Sequence, residues 1–127
     1  SVAGGTEVLC TGPDEWVILV PEAGRQALIA AGAEAYARIP HSLVEISDRE
    51  ITLRLSGPQA LTALTAACPR DVDALPVGRA ARTLFDSATV ILWRDGPDSF
   101  RMDVWRSFLP HVRAILAKVS AELKAGL

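Results

Sequence analysis

Strand-like and helix-like segments alternate along the whole chain. The clearest strand pattern is ITLRLS at residues 51–56, where Ile51, Leu53 and Leu55 would face one side of a sheet and Thr52 and Arg54 the other. The segment SGPQALTALTAAC follows directly and has a helix-type start, because a small capping residue precedes a proline. Similar patterns elsewhere predict the element order β-β-α-β-β-α-β-β-β-α.

Pairs of strands separated by helices are typical of α+β folds. We therefore predict a ferredoxin-like, split-βαβ arrangement with an antiparallel or mixed sheet and helices packed on one face. The chain has 127 residues, of which 50% are hydrophobic. This size and composition suffice for one hydrophobic core, so we predict a single domain covering residues 1–127.

Two local patterns lead to more specific expectations. SLVEIS at residues 42–47 is rich in strand-forming residues, so it should pair with residues 51–56 across a turn at residues 48–50. The run WVILV at residues 16–20 is continuously apolar, which indicates a strand buried on both faces.

Composition and charge exclude several classes of function. The formal net charge is −2 and no cluster of lysine or arginine occurs, so we expect no binding to nucleic acid. The apolar runs are too short to cross a bilayer, so we expect no membrane span. The two cysteines, Cys10 and Cys68, are far apart and lack a CxxC pattern, which argues against zinc and disulfides. With no secretory-type pattern in its first residues, the chain is expected to be cytoplasmic.

The sequence contains no recognisable catalytic set. His41 and His111 are isolated, and no GxSxG, HxxxH or GxGxxG pattern occurs. The stretch AACPRDVDALPVGR at residues 66–79 combines a cysteine with acids and arginines. However, Cys68 shares an apolar helix face with Leu61 and Leu64, so we interpret it as a core thiol. Asp71 or Asp73 would cap the following turn. No catalytic, cofactor-binding or metal-binding residue is assigned.

Two tryptophan–arginine pairs are candidates for an interface with another protein. Trp93-Arg94 and Trp105-Arg106 each lie at a predicted strand or helix boundary, and these residue types are enriched at interface hot spots. The alternative is that each tryptophan belongs to the core and each arginine is solvated. The sequence does not decide between these interpretations.

Five segments of the chain, considered together, resemble one protein family. They are GPDEWVILV, VEISDREITLRLSGPQA, CPRDVDALPVGR, the strand AARTLF and the stretch ILWRDGPDSFRMDVWRSF, in that order from residue 12 to residue 108. In this order they are similar to the gamma subunit of heterotetrameric sarcosine oxidase.

The resemblance implies a non-catalytic structural subunit of a complex that oxidatively demethylates sarcosine to glycine and transfers the one-carbon unit to tetrahydrofolate. It also implies alpha, beta and delta subunits as partners, chiefly the aminomethyltransferase-like part of alpha. No cofactor is expected in this chain, whereas FAD, FMN, NAD, zinc and folate are expected in the partner subunits. The implied fold is related to part of the folate-binding aminomethyltransferase domain.

Two other functions stay open at the level of sequence. The chain could be a small domain that binds folate or another one-carbon ligand, or a homo-oligomeric interaction module. An isolated gamma-like subunit could itself form a homodimer through the surface meant for its partner.

Overall fold

The computed structural model describes residues 2–3 and 5–126. These form two compact units, one ending at Glu45 and the other beginning at Ile46. The single domain expected from the sequence remains a prediction.

The first unit combines a small antiparallel sheet with one helix. Its elements are β1 (Val2–Ala3), β2 (Thr6–Gly12), β3 (Glu15–Leu19), a 3-10 turn (Glu22–Gly24) and α1 (Arg25–Tyr36). The sheet order is β1-β2-β3, so β3 lies at an edge. Trp16 is 56% exposed, and the prediction that this apolar run is buried on both faces is wrong. An edge strand of a three-stranded sheet lacks the neighbours that would enclose it. Among the described residues of this unit, Leu9 is the only buried hydrophobic side chain.

The strand predicted at residues 42–47 does not form. Residues 40–46 contain no helix, strand, turn or bend, and a turn at residues 47–49 leads into β4. β4 pairs instead with β7 along its whole length, from Glu50 opposite Trp105 to Ser56 opposite Ser99. A strand is stable where a neighbouring strand completes the hydrogen-bond ladder, and residues 42–47 have no such neighbour in the described part of the chain.

The second unit contains one four-stranded sheet and two helices. The sheet order is β4-β7-β6-β5, and every neighbouring pair is antiparallel. The α+β class is confirmed, and the strand order that the sequence left undecided is now defined. Its elements are β4 (Glu50–Ser56), α2 (Ala60–Thr65), β5 (Arg79–Phe85), β6 (Ala88–Gly96), β7 (Ser99–Trp105), a 3-10 turn (Arg106–Phe108) and α3 (Leu109–Lys124).

One face of the second sheet forms the hydrophobic core with both helices. Phe85, Phe100 and Met102 from the strands are almost fully buried, and they belong to one cluster with Leu64 of α2 and Val112 of α3. Successive side chains of a strand point to opposite faces. The neighbours of these core residues therefore lie on the other face of the sheet, where the structure places a set of polar contacts.

Candidate functional site

The four interface candidates lie in two different environments. Trp93 and Arg94 are in the middle of β6, and both side chains are largely enclosed. Trp105 ends β7, and Arg106 begins the 3-10 turn that precedes α3. The Trp-Arg dipeptide is therefore enclosed at residues 93–94 and lies at the surface at residues 105–106.

Trp93 belongs to a hydrogen-bond network on the face of the sheet opposite the core. It is 8% exposed, and its indole Nε1 donates to Asp103 Oδ2 at 2.5 Å. Thr52 Oγ1 donates to the other carboxylate oxygen, Oδ1, also at 2.5 Å. The Arg101 guanidinium lies 4.7 Å from the centroid of the Trp93 ring and donates to both carboxylate oxygens of Asp95, at 2.7 and 2.8 Å. The buried Asp103 carboxylate thus accepts one bond on each oxygen, as a buried polar group requires.

Arg94 connects the crossover between α2 and β5 to the sheet. Its Nη1 donates to the backbone carbonyls of Asp73 at 2.8 Å and Leu75 at 2.9 Å, and its Nη2 donates to that of Pro97 at 3.2 Å. The guanidinium lies 5.5 Å from the centre of the Phe100 ring. Its Nε is buried without an acceptor among the described residues. The contacts therefore assign Arg94 a structural role, and a contact with a partner stays a prediction.

The surface around Trp105 is aromatic and basic. We use the term Trp105 surface for Arg49, Trp105, Arg106 and Phe108. The Trp105 side chain is 45% exposed, and the Arg49 guanidinium lies 5.0 Å from its ring centroid. Phe108 is similarly exposed. The backbone N–H of Arg106 donates to the Arg49 carbonyl at 2.8 Å, and its Nε donates to the Asp48 carbonyl at 3.1 Å. These bonds hold the turn before β4 against the end of β7.

Arg49 and Phe108 were not among the residues selected from the sequence. Arg49 is 56 positions from Trp105 and meets it only because β4 pairs with β7 in this register. No local pattern contains that information. Phe108 is exposed and lies just before α3 begins.

One serine, histidine and aspartate meet on the surface, and their geometry does not resemble a catalytic triad. His111 Nε2 lies 2.9 Å from Asp86 Oδ2 and 3.3 Å from Ser87 Oγ. A triad needs the acid on one ring nitrogen and the nucleophile on the other, whereas both partners here contact Nε2. The hydrogen bond with His111 lowers the pKa of the exposed Asp86 carboxyl most, and hydrogen bonds with Ser87 lower it further. The cluster connects the β5–β6 turn to the first turn of α3.

The stretch at residues 66–79 has the structural role inferred from its sequence. Cys68 is buried in the core cluster, with its Sγ 3.6 Å from Thr83 Oγ1. Asp71 Oδ1 accepts the backbone N–H groups of Asp73 at 3.1 Å and Ala74 at 3.2 Å, which caps the turn. Leu75, after this turn, is buried in the core cluster. The thiol is enclosed by packing, and its hydrogen-bond partner among the described residues is the Thr83 hydroxyl, which is not a base that would activate a nucleophile.

The two cysteines should therefore differ in reactivity. Cys10 is exposed and Cys68 is buried, so a thiol reagent under native conditions is expected to label Cys10 and leave Cys68 unmodified until the protein unfolds. Mass spectrometry of the labelled peptides measures both sites in one sample, with Cys10 as the internal control. Equally rapid labelling of both thiols would contradict the buried position of Cys68.

Within residues 2–3 and 5–126, no group of three or more His, Cys, Asp or Glu side chains is placed to hold a metal ion. No helix in the same part of the chain is long and apolar enough to cross a lipid bilayer.

Comparison with known proteins identifies relatives over nearly the whole chain. The model of the sarcosine oxidase, gamma subunit family matches residues 1–122. The chain is 39% identical over 103 residues to sarcosine oxidase subunit gamma of an Arthrobacter species, an alignment covering 77% of this chain and 48% of the relative. It is 32% identical over 124 residues to the gamma subunit from Corynebacterium sp. strain U-96, covering 96% of this chain and 60% of the relative.

The fold is also similar to that of a solved structure. A chain of heterotetrameric sarcosine oxidase from Corynebacterium sp. U-96, in complex with pyrrole 2-carboxylate, superimposes with a TM-score of 0.83 at 32% sequence identity. The match covers 92% of this chain and 60% of that chain. The chain spans about half to three-fifths of the length of the relatives that it matches. Sequence and fold agree, and the chain belongs to the sarcosine oxidase gamma subunit family.

Proposed function

We propose that this chain is a non-catalytic assembly subunit of a sarcosine oxidase complex. The observation that supports this most directly is the likeness to a chain of the heterotetrameric enzyme, at a TM-score of 0.83 and 32% identity. The reaction proposed for the complex is the oxidative demethylation of sarcosine to glycine, with transfer of the one-carbon unit to tetrahydrofolate.

The proposed partners are alpha, beta and delta subunits, and chiefly the aminomethyltransferase-like part of alpha. FAD, FMN, NAD, zinc and folate would be bound by those partners. Two groups that could otherwise serve in catalysis have internal roles, which supports this division of labour. Cys68 is enclosed in the core, and the Asp103 carboxylate accepts bonds from Thr52 and Trp93.

The Trp105 surface is the proposed contact with a partner subunit. Trp105 is half-exposed, and the stacked Arg49 limits the orientations of its ring, so little side-chain entropy is lost on binding. Tryptophan and arginine are the residue types that most often dominate the energetics of interfaces. Trp93 and Arg94 would support such a contact only indirectly, since their polar groups are engaged within the chain.

Co-purification with the cognate large subunits tests both the function and the surface. We expect the wild-type chain to co-purify with them, and Trp105→Ala to weaken its binding by about tenfold or more, as the loss of an interface hot spot does. Trp16→Ala is the matched control, because Trp16 is also a largely exposed tryptophan but lies on β3 of the first unit. Its binding should stay within about twofold of wild type.

Two outcomes would contradict these proposals at different levels. If the wild-type chain does not bind the large subunits, the proposed function is wrong. If Trp105→Ala binds as tightly as wild type while the complex assembles normally, the function stands and the Trp105 surface is not the contact.

A further inference from the structure

Two connections of equal length join regular elements of the chain, and the structure holds them very differently. One is the connection between α1 and β4, at residues 37–49, and the other is the crossover between α2 and β5, at residues 66–78. Neither contains a helix or a strand. Proteases usually cut folded proteins in exposed connections of this kind, provided that the backbone can leave its neighbours. The contacts of each connection therefore decide whether it can be cut.

The crossover is anchored in the core and through its backbone. Val72 and Leu75 are 0% and 3% exposed. The Arg94 guanidinium donates a hydrogen bond to the Leu75 carbonyl at 2.9 Å, and the backbone N–H of Gly78 donates to the Arg94 carbonyl at 2.7 Å. A protease active site takes in several residues of extended backbone, so binding here would require these contacts to break. We therefore expect the crossover to resist proteolysis in the folded chain.

Such backbone anchors are missing in the middle of the other connection. Every residue from 40 to 45 is exposed, and the segment contains no turn or bend. In the described part of the chain, no backbone hydrogen bond joins Ser42, Leu43 or Val44 to another residue. A protease can therefore bind this backbone without first breaking a backbone hydrogen bond of these three residues.

Side-chain contacts hold this segment to α1, and they involve exposed groups. A methyl group in place of the Gly32 hydrogen would lie 2.6 Å from Leu43 Cδ2, so the Leu43 side chain rests against the helix while staying 44% exposed. Glu45 accepts a hydrogen bond from Arg25 at 2.7 Å, and the two side chains are 42% and 41% exposed. Ion pairs with this exposure contribute little to stability. Lifting the segment off α1 is therefore a small local opening.

The segment also ends where the chain divides into its two compact units. The first unit ends at Glu45 and the second begins at Ile46. A cut within residues 40–46 interrupts no helix, strand or strand ladder of either unit. Neither unit therefore has to unfold before the cut.

We propose that the Leu43–Val44 peptide bond is a site at which an endoprotease cuts the folded chain. The protease would be one that selects an apolar residue after the cut, because the Val44 side chain is 69% exposed and available to an apolar pocket. Hydrolysis adds the hydroxyl of water to the Leu43 carbonyl carbon and a proton to the Val44 nitrogen, which leaves residues 1–43 and 44–127 as two chains. The site is a property of this chain alone, so its test needs no partner subunit.

Limited proteolysis of the full chain by thermolysin under native conditions tests this site. Thermolysin cuts before leucine, valine and isoleucine, and mass spectrometry of the fragments identifies each cut and its rate. Residues 40–46 and the crossover each offer three such residues: Leu43, Val44 and Ile46 in one, and Val72, Leu75 and Val77 in the other. We expect the Leu43–Val44 bond to be cut at least tenfold faster than any bond of the crossover. Equal or faster cleavage in the crossover, or an uncut Leu43–Val44 bond in the folded chain, would overturn the inference.

The variant Arg94→Met distinguishes local opening from global unfolding. It removes the donor that holds the crossover, so we expect cleavage there to accelerate. Cleavage at Leu43–Val44 should stay within about twofold of wild type, because it proceeds from the folded chain. Equal acceleration at both places would show that the chain is cut only after it unfolds globally, and the inference would be wrong.

Substitutions at Val44 test the recognition of this bond. Val44→Asp puts a charge where the protease requires an apolar side chain, and it should slow cleavage at this bond at least tenfold. Val44→Leu is the matched control, since it keeps an apolar side chain, and it should be cut within about threefold of the wild-type rate. Because Val44 is 69% exposed, neither change should disturb the fold. Cleavage of Val44→Asp at the wild-type rate at this bond would contradict the proposed site.

Discussion

Replacing Arg94 with methionine is expected to lower the free energy of unfolding by about 3 kcal/mol, the order of magnitude for removing a buried, charge-assisted hydrogen-bond donor. Methionine keeps a flexible apolar stem but has no guanidinium, so the contact of that group with the Phe100 ring is also lost. The substitution removes the donors to the carbonyls of Asp73, Leu75 and Pro97. The carbonyls of Asp73 and Leu75 belong to the crossover between α2 and β5, and that of Pro97 belongs to the turn between β6 and β7. We expect both loops to loosen together.

Equilibrium denaturation by urea measures this effect, and the chain provides a matched control. Arg54 lies on β4 and is exposed, and its side chain makes no hydrogen bond or ion pair among the described residues. Arg54→Met should therefore change the free energy of unfolding by less than about 0.5 kcal/mol, as is usual for surface substitutions. Equal effects of the two substitutions would show that the loop contacts of Arg94 contribute no specific stability.

The two tryptophan–arginine pairs show how far the sequence could predict this site. Both were recognised as unusual, but only Trp105-Arg106 lies at the predicted element boundary, since Trp93-Arg94 lies inside β6. Their different environments depend on position in the sheet. Trp93-Arg94 lies on β6, which has a strand on each side, whereas Trp105-Arg106 lies where β7 ends. Strand order and register arise from contacts between distant residues, and no local pattern encodes them.

The segment at residues 42–47 shows a case in which a local strand pattern is not sufficient to form a strand. Its local pattern predicted a strand, and the alternating contacts of His41, Leu43 and Glu45 with α1 agree with that prediction. The ladder partner is absent from the described chain, so the regular strand does not form. The prediction was therefore wrong both in the strand and in its partner, because β4 pairs with β7. The hydrophobic pattern correctly predicted the α+β class because alternation at period two and helical spacing reflect burial within each element.

The buried carboxylate of Asp103 leads to the second large effect. Asp103→Leu is expected to lower the free energy of unfolding by about 3 kcal/mol, because it leaves two donors, Trp93 Nε1 and Thr52 Oγ1, without their acceptor. Leucine has a similar volume, so the loss would reflect the unpaired polar groups more than a cavity. Urea denaturation measures the change in stability.

A combined variant separates the hydrogen-bond contribution from packing. If the cost of Asp103→Leu comes from its orphaned donors, removing those donors should recover stability. The triple variant Thr52→Val, Trp93→Phe, Asp103→Leu is therefore expected to be more stable than Asp103→Leu alone by about 1–2 kcal/mol, since replacing all partners of a polar network by apolar groups is close to neutral. Thr52→Val alone should be destabilising, because it takes a donor from a buried carboxylate that then has one bond left. A triple variant less stable than Asp103→Leu would indicate that the network contributes through shape, and that its hydrogen bonds are incidental to stability.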